Sequence, residues 1–275
     1  MEPVWSSRGL RGWLAPPRPA EPAVLTDPTE RRGVGIELLL VLAVTLGLSG
    51  VRSLLSLVDS LLAAAPLAAQ AAVINAPARR AELLDLAYQL AGIAQLLAWG
   101  GLGAYLLWRA GIGPQRIGLD RRSPGRDAAL GAGLAVLIGI PGLGFYLATR
   151  ALGMNLTVVP STLDDTWWQI PVLLAAAVAN SWAEEVLVVG YLLTRLRQLG
   201  CSENSSLLAS AVLRGSYHLY QGFGGFAGNM VMGLVFGRVW QRSSRLWVLV
   251  VAHALLDVVA FAGYALLGDR ISWLP

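Results

Sequence analysis

The chain has 275 residues, 55% of them hydrophobic and 14% charged, with a mean hydropathy of +0.58. A soluble domain carries about 25% charged residues, so this composition excludes an ordinary soluble fold and points to a polytopic membrane protein. The net charge of +4 comes from arginines spaced between apolar runs, which reads as topology signalling and lipid anchoring and not as a nucleic-acid surface. The single Cys201 excludes an internal disulfide and a thiolate metal cluster.

Residues 1–33 hold prolines at positions 3, 16, 17, 19, 22 and 28 and show no apolar period. They read as a flexible cytoplasmic tail. No hydrophobic h-region or small-residue cleavage site occurs there, so the tail does not read as a signal peptide. A first membrane span is expected over Ile36–Val58, interrupted by Arg52. Ser60–Ile74, rich in Ala and Leu and containing Pro66, fits either an interfacial helix or an extension of that span. Further spans are expected at Leu86–Trp108, at Ala128–Leu147 with a kink near Pro141, and at Trp167–Leu193 behind an aromatic pair. Ser205–Tyr220, Phe223–Trp240 and Leu246–Leu267 follow. Their very short connections make them antiparallel neighbours.

Arginine placement sets the expected orientation. With seven spans and the N-terminus inside, the inner segments carry 15 arginines: 8, 11, 18, 31, 32, 109, 116, 121, 122, 126, 195, 197, 238, 242 and 245. The outer segments carry four, at 79, 80, 150 and 270, while Arg52 and Arg214 fall within spans. The bias favours a cytoplasmic N-terminus, and the expected location is a bacterial plasma membrane.

One stretch organises the chemistry. Ser181–Arg195 places the adjacent carboxylates Glu184 and Glu185 inside an apolar run, where each ionised group costs roughly 2.5–3.5 kcal/mol on insertion scales. An interhelical polar clamp or a reaction centre would each account for them. The chain has only two histidines, and both lie in apolar spans. Arg214 precedes His218 by four residues, and His253 precedes Asp257 by four, each pair one helical turn apart. At about 1.5 Å per residue, Glu184, His218, Asn229 and Asp257 come to a similar depth, roughly 16–19 Å from the inner end, with His253 a turn shallower. Helices of alternating direction therefore converge these groups on one polar site.

The order of two glutamates, a helix with a late histidine and an HxxxD resembles the CPBP family of intramembrane proteases, which includes CAAX-prenyl-processing and bacteriocin-processing (Abi-type) members. That family shows EExxxR, FxxxH and HxxxN/D. Here they read Glu184-Glu185-Val-Leu-Val-Val189, Arg214-Gly-Ser-Tyr-His218 and His253-Ala-Leu-Leu-Asp257. The resemblance covers about the last hundred residues. Val189 stands where the family has arginine, and Arg214 where it has phenylalanine, as though the cation had moved to the next helix to pair with Glu185. The resemblance implies an all-α transmembrane bundle of about seven or eight spans, divided into the tail 1–33, N-terminal helices 34–166 and a four-helix catalytic core 167–275. It also implies endopeptidase action on a membrane-associated or lipid-modified peptide or protein.

The catalytic residues it implies are Glu184, Glu185, His218, His253 and Asp257, supported by Arg214 and Asn229. Glu184 would be the general base and His218 its aid in orienting water. His253 and Asp257 would stabilise the oxyanion, although an ionised Asp257 donates no hydrogen bond and better suits orienting His253. No cofactor is required on this reading. Two histidines and a carboxylate (Glu184, His218, His253) are also a known zinc set, but HExxH is absent. The competing functions are a non-catalytic scaffold, such as a bacteriocin immunity factor, and an ion- or proton-coupled transporter.

Overall fold

The computed structural model describes residues 22–163 and 165–267. The expected tail is described only from Pro22, and Arg270 lies outside the described residues. The tail ends earlier than expected, because Asp27 accepts hydrogen bonds from the Thr29 and Glu30 amides and Pro28 starts a helix. This N-cap followed by a proline at the first helical position was a helix start that the tail reading passed over. Helix α1 (Pro28–Val44) and α2 (Leu46–Leu62) meet at a bend of 48°. Thr45 leaves helical geometry there, and its hydroxyl donates to Val41 O at 2.6 Å. The first expected span is therefore a broken pair, with Arg52 in its second half.

The first span's helix extends past Val58 to Leu62, and the rest of Ser60–Ile74 forms neither an interfacial helix nor a further extension. A short 3₁₀ turn (Leu67–Ala69) leads into strand β1 (Ala71–Asn75), which pairs in parallel with β2 (Thr157–Ser161). Val73 faces Val159 across this two-stranded sheet. Helix α3 (Glu82–Arg109) is followed by the single turn α4 (Pro114–Ile117), and α5 (Pro124–Ala151) runs on with Pro141 inside it. Next comes one long crossing made of α6 (Gln169–Glu184), a π-helical segment (Glu185–Tyr191) and α7 (Leu192–Gln198). Helices α8 (Glu203–Ser216), α9 (Phe223–Ser243) and α10 (Leu246–Leu267) complete the bundle.

Among the described residues four helices are long and apolar enough to cross a membrane, or five if the bent α1–α2 pair counts as one. The other two segments read as spans are helical but fall short of that test. Helix α8 has only 14 residues, against about 20 needed to cross. Tyr217–Tyr220, expected at its end, instead belong to a turn that runs on to Gln221. The α6–π–α7 crossing is the central one: 67% of its apolar window is buried, against 17% for α3 and for α5. Val186, Leu187, Val188, Val189 and Tyr191 form the middle of the main core.

The arginine-rich end is tied by ions and by close backbone packing. Arg245, just before α10, donates to Asp120 Oδ1 at 2.9 Å and to both oxygens of Asp127. Gly118, in the left-handed region (φ 77°), lets Trp247 N reach Gly118 O at 3.2 Å. A Cβ there would sit 2.1 Å from Ser244 O, and left-handed backbone suits glycine alone among unstrained choices. The N-terminal segment adds Leu25 N donating to Gln198 O and Arg31 donating to Leu199 O.

The Asp120 carboxyl lies below the ordinary carboxylate range, first because the Arg122 amide donates to it and then because Arg245 does. A depressed folded value means that the stabilisation is present above the unfolded value of about 4 and lost as pH falls through the folded one. Acid unfolding of the detergent-solubilised protein should therefore begin below about pH 4 in part through this cluster. Arg245→Ala should lower thermal stability at neutral pH and flatten that acid limb, as read by melting curves across pH.

Candidate active site

The α6–π junction explains how two neighbouring glutamates serve different partners. Successive residues on a helix point about 100° apart, so Glu184 and Glu185 face different neighbours. Ser210 on α8 donates to Val188 O at 2.7 Å, which satisfies a carbonyl of the widened helix. π-helical turns occur often at functional sites, and here one begins at the second glutamate.

Arg214, fully buried near the end of α8, lies between the two carboxylates. Its Nη2 donates to Glu185 Oε1 at 2.5 Å, and its Nη1 lies 3.7 Å from Glu184 Oε2. The guanidinium thus straddles both glutamates and does not grip Glu185 with both prongs, as a bidentate pair would. Its other face lies over Phe236 on α9, 5.5 Å from the ring centre. Gly233 on α9 permits this approach, since a Cβ there would sit 3.2 Å from Arg214 Cδ. Val189, where the resembled motif has arginine, is fully buried among the core side chains.

Tyr217 donates its hydroxyl to Glu184 Oε2 at 2.6 Å. His218 lies in the turn after α8, not within a span, and its Nδ1 donates to Arg214 O at 2.9 Å. A carbonyl only accepts, so this bond sets the tautomer and leaves Nε2 with the free lone pair in the neutral ring. On α10, His253 Nδ1 donates to Glu185 Oε1 at 2.8 Å, while its Nε2 lies 3.6 Å from Asp257 Oδ2. The residue that orients His253 by a hydrogen bond is therefore Glu185, not Asp257 as expected. Asp257 Oδ2 accepts instead from Asn180 Nδ2 at 2.9 Å. Asn229 on α9 donates to Gly225 O at 3.0 Å.

A cavity of about 590 Å³ adjoins this cluster. Glu184, His218, Asn229, His253 and Asp257 line it, as do Asn180 and Tyr217. Glu185 and Arg214 do not. The seven residues singled out from the sequence therefore divide into five at the cavity wall and a buried ion pair behind it. Asn180 and Tyr217 were missed. Asn180 precedes Glu184 by one helical turn, a spacing that was available as a signal, whereas nothing in the local sequence around Tyr217 pointed to Glu184.

The three residues of the alternative zinc set, Glu184, His218 and His253, all line the cavity. Among the described residues no group of three or more His, Cys, Asp or Glu is placed to hold a metal ion. Nδ1 of each histidine is taken by Arg214 O or Glu185, and a guanidinium stands beside the two glutamates.

Residues 166–259 match the family model described as type II CAAX prenyl endopeptidase Rce1-like. The match is a similarity of this stretch alone. It covers about a third of the chain, from just before α6 to the middle of α10, and contains every residue of the cluster. No curated protein and no solved structure matches. The Rce1-like family implies intramembrane endopeptidase activity on a peptide substrate, and with several apolar helices it marks an integral membrane protein.

The buried pair should report itself in stability. Arg214→Leu leaves two carboxylates facing each other without their cation, and should cost about 3–5 kcal/mol. Glu185→Leu should cost less, because Arg214 keeps Glu184 within reach. The double substitution should recover much of the loss, whereas strictly additive losses in detergent melting curves would show that the two do not act as a pair.

Proposed function

We propose that the chain is an intramembrane endopeptidase whose water is activated by Glu184 and His218 without a metal. The observation that carries this reading is the division of the two glutamates: Glu184 lines the cavity and Glu185 is sealed behind it with Arg214. Glu184 stands at the cavity wall, 3.7 Å from the guanidinium, whereas Glu185 is hydrogen-bonded to it, and a carboxylate so placed can take a proton from water in the cavity. The Tyr217 hydroxyl holds one oxygen of Glu184, and His218, with Nδ1 bonded to Arg214 O, lines the same cavity.

In the proposed reaction Glu184 takes a proton from water as the hydroxide oxygen bonds to the scissile carbonyl carbon. The oxyanion accepts hydrogen bonds from N–H groups of the cavity wall, where the Asn180 and Asn229 amides, and His253 Nε2 when the ring is protonated on both nitrogens, are the available donors. The C–N bond then breaks, and the proton held by Glu184 passes to the leaving amine. Asp257, which only accepts when ionised, acts by holding Asn180 in place. Arg214 takes the role of the motif arginine from a different helix, balancing both glutamates. The arginine distribution supports a cytoplasmic N-terminus in a bacterial plasma membrane.

Incubation of purified protein with a mixture of membrane peptides tests the reading. Glu184→Gln should abolish cleavage while the protein stays folded and inserted. Turnover at the parental rate in that variant would end the glutamate mechanism, and absence of any cleavage by the parent would favour a scaffold. Prolonged chelation should leave activity intact; a loss restored by zinc would return the histidines to a metal site. Moving the cation back, with Arg214→Phe and Val189→Arg together, should restore more activity and stability than Arg214→Phe alone.

A further inference from the structure

Of the connections between helices, only those at one end of the bundle contribute to the cavity wall. Chain direction places three connections at that end: 63–81 with β1, 152–168 with β2, and the turn from Tyr217 to Gly222. Each contributes to the cavity wall, through Asn75, through Asn155 and Val158, and through Tyr220 and Gln221. The connections at the opposite end, 110–123, 199–202 and 244–245, contribute nothing. The helices agree. On α5, which rises toward the strand end, the lining residues run from Ile138 to Tyr146; on α9, which leaves that end, they stop at Met232.

The mouth is built as one piece. Phe223 N donates to Met154 O and Leu156 N to Gln221 O, each at 3.0 Å, so the β2 connection is bonded to the α8–α9 turn. Gly222 (φ 104°) makes this possible, because a Cβ there would sit 2.6 Å from Met154 O. The β1–β2 pairing then ties the third connection to the same frame. Around the mouth the polar side chains are amides and phenols, and the carboxylates that line the cavity are Glu184 and Asp257, farther in. Amide groups match the N–H and C=O of a peptide backbone and hold no charge for a charged side chain.

The strand end is also the arginine-poor end. Among the described residues its connections carry Arg79 and Arg80, with Arg150 at the tip of α5, whereas the opposite connections and helix ends carry Arg109, Arg116, Arg121, Arg122 and Arg126 before α5 is under way, and more beyond. By the positive-inside rule the mouth faces away from the cytoplasm.

We infer that the peptide accepted by this site is an uncharged, extended segment presented at the non-cytoplasmic face of the membrane, entering between the β1–β2 sheet and the turn from Tyr217 to Gly222. That the accepted peptide is cleaved rests on the endopeptidase reading; the side of entry does not. The native Cys201 lies at the arginine-rich end and serves as an internal marker of sidedness. Intact cells and inverted vesicles would be exposed to a membrane-impermeant maleimide. The parent protein should label at Cys201 only from the cytoplasmic side. A Cys201→Ser, Gln221→Cys protein should label only from the opposite side, and Cys201→Ser, Asn75→Cys is a second probe should the first fail to fold. Labelling of both mouth cysteines from the cytoplasmic side, or from neither side, would overturn the inference. Outer labelling without any peptide cleavage would sustain the side of entry and sink the endopeptidase reading. Cleavage only of peptide supplied from the cytoplasmic side would do the reverse.

Discussion

A guanidinium with no exposure, set against two glutamates in the middle of a membrane bundle, is the constraint around which the rest of this protein is arranged. Two carboxylates side by side in a low-dielectric interior repel each other and lose hydration, so neither is tolerable without a nearby cation. Arg214 supplies it from α8, and the consequences spread outward. Gly233 must stay small to admit the arginine stem, Phe236 covers its face, and α8 must pack closely on α9. The same pair fixes His253, because Glu185 Oε1 accepts from both Arg214 and the imidazole. A single carboxylate oxygen thereby joins the π segment, α8 and α10.

The widened helix at Glu185–Tyr191 makes this compatible with an otherwise regular crossing. It lets one residue at the junction face the cavity and the next face the arginine, and it keeps the apolar side chains that follow fully inside the core. A hydroxyl from α8 satisfies one of its carbonyls. The site is therefore built from rigid crossing elements. The exceptions are Tyr217 and His218, which sit in the turn after α8, where His218 is held by its own helix end through Arg214 O.

The composition and the arginine bias made the class of protein legible, and the apolar runs located every long helix to within a few residues at most ends. Glu184, Glu185, His218, His253 and Asp257 were legible as a cluster because buried charge is costly, so its presence in apolar runs is informative wherever it occurs. The displaced cation could be proposed from the resemblance, since Val189 stands where the resembled motif has arginine and Arg214 was the charge at similar depth. What remained hidden followed from local signals that compete weakly with context. The Asp27–Pro28 helix start lay inside a proline-rich stretch, and the strand Ala71–Asn75 carries an apolar run too short to distinguish from a helix by period.

The residue types thus determined that a membrane bundle would gather these charges at one depth, because hydrophobic length and the cost of burying an ion are properties of the chain itself. Which charge meets which was settled only by packing. The bend at Thr45, the shift into π geometry after Glu184 and the end of α8 at Ser216 each rotate side chains by amounts that no spacing rule carries. Those rotations sent Glu185 to His253, Asn180 to Asp257 and Tyr217 to Glu184. The sheet that frames the mouth likewise joins segments some 86 positions apart, 71 with 157, and pairing over such a distance depends on the helices that bring both strands to the same end.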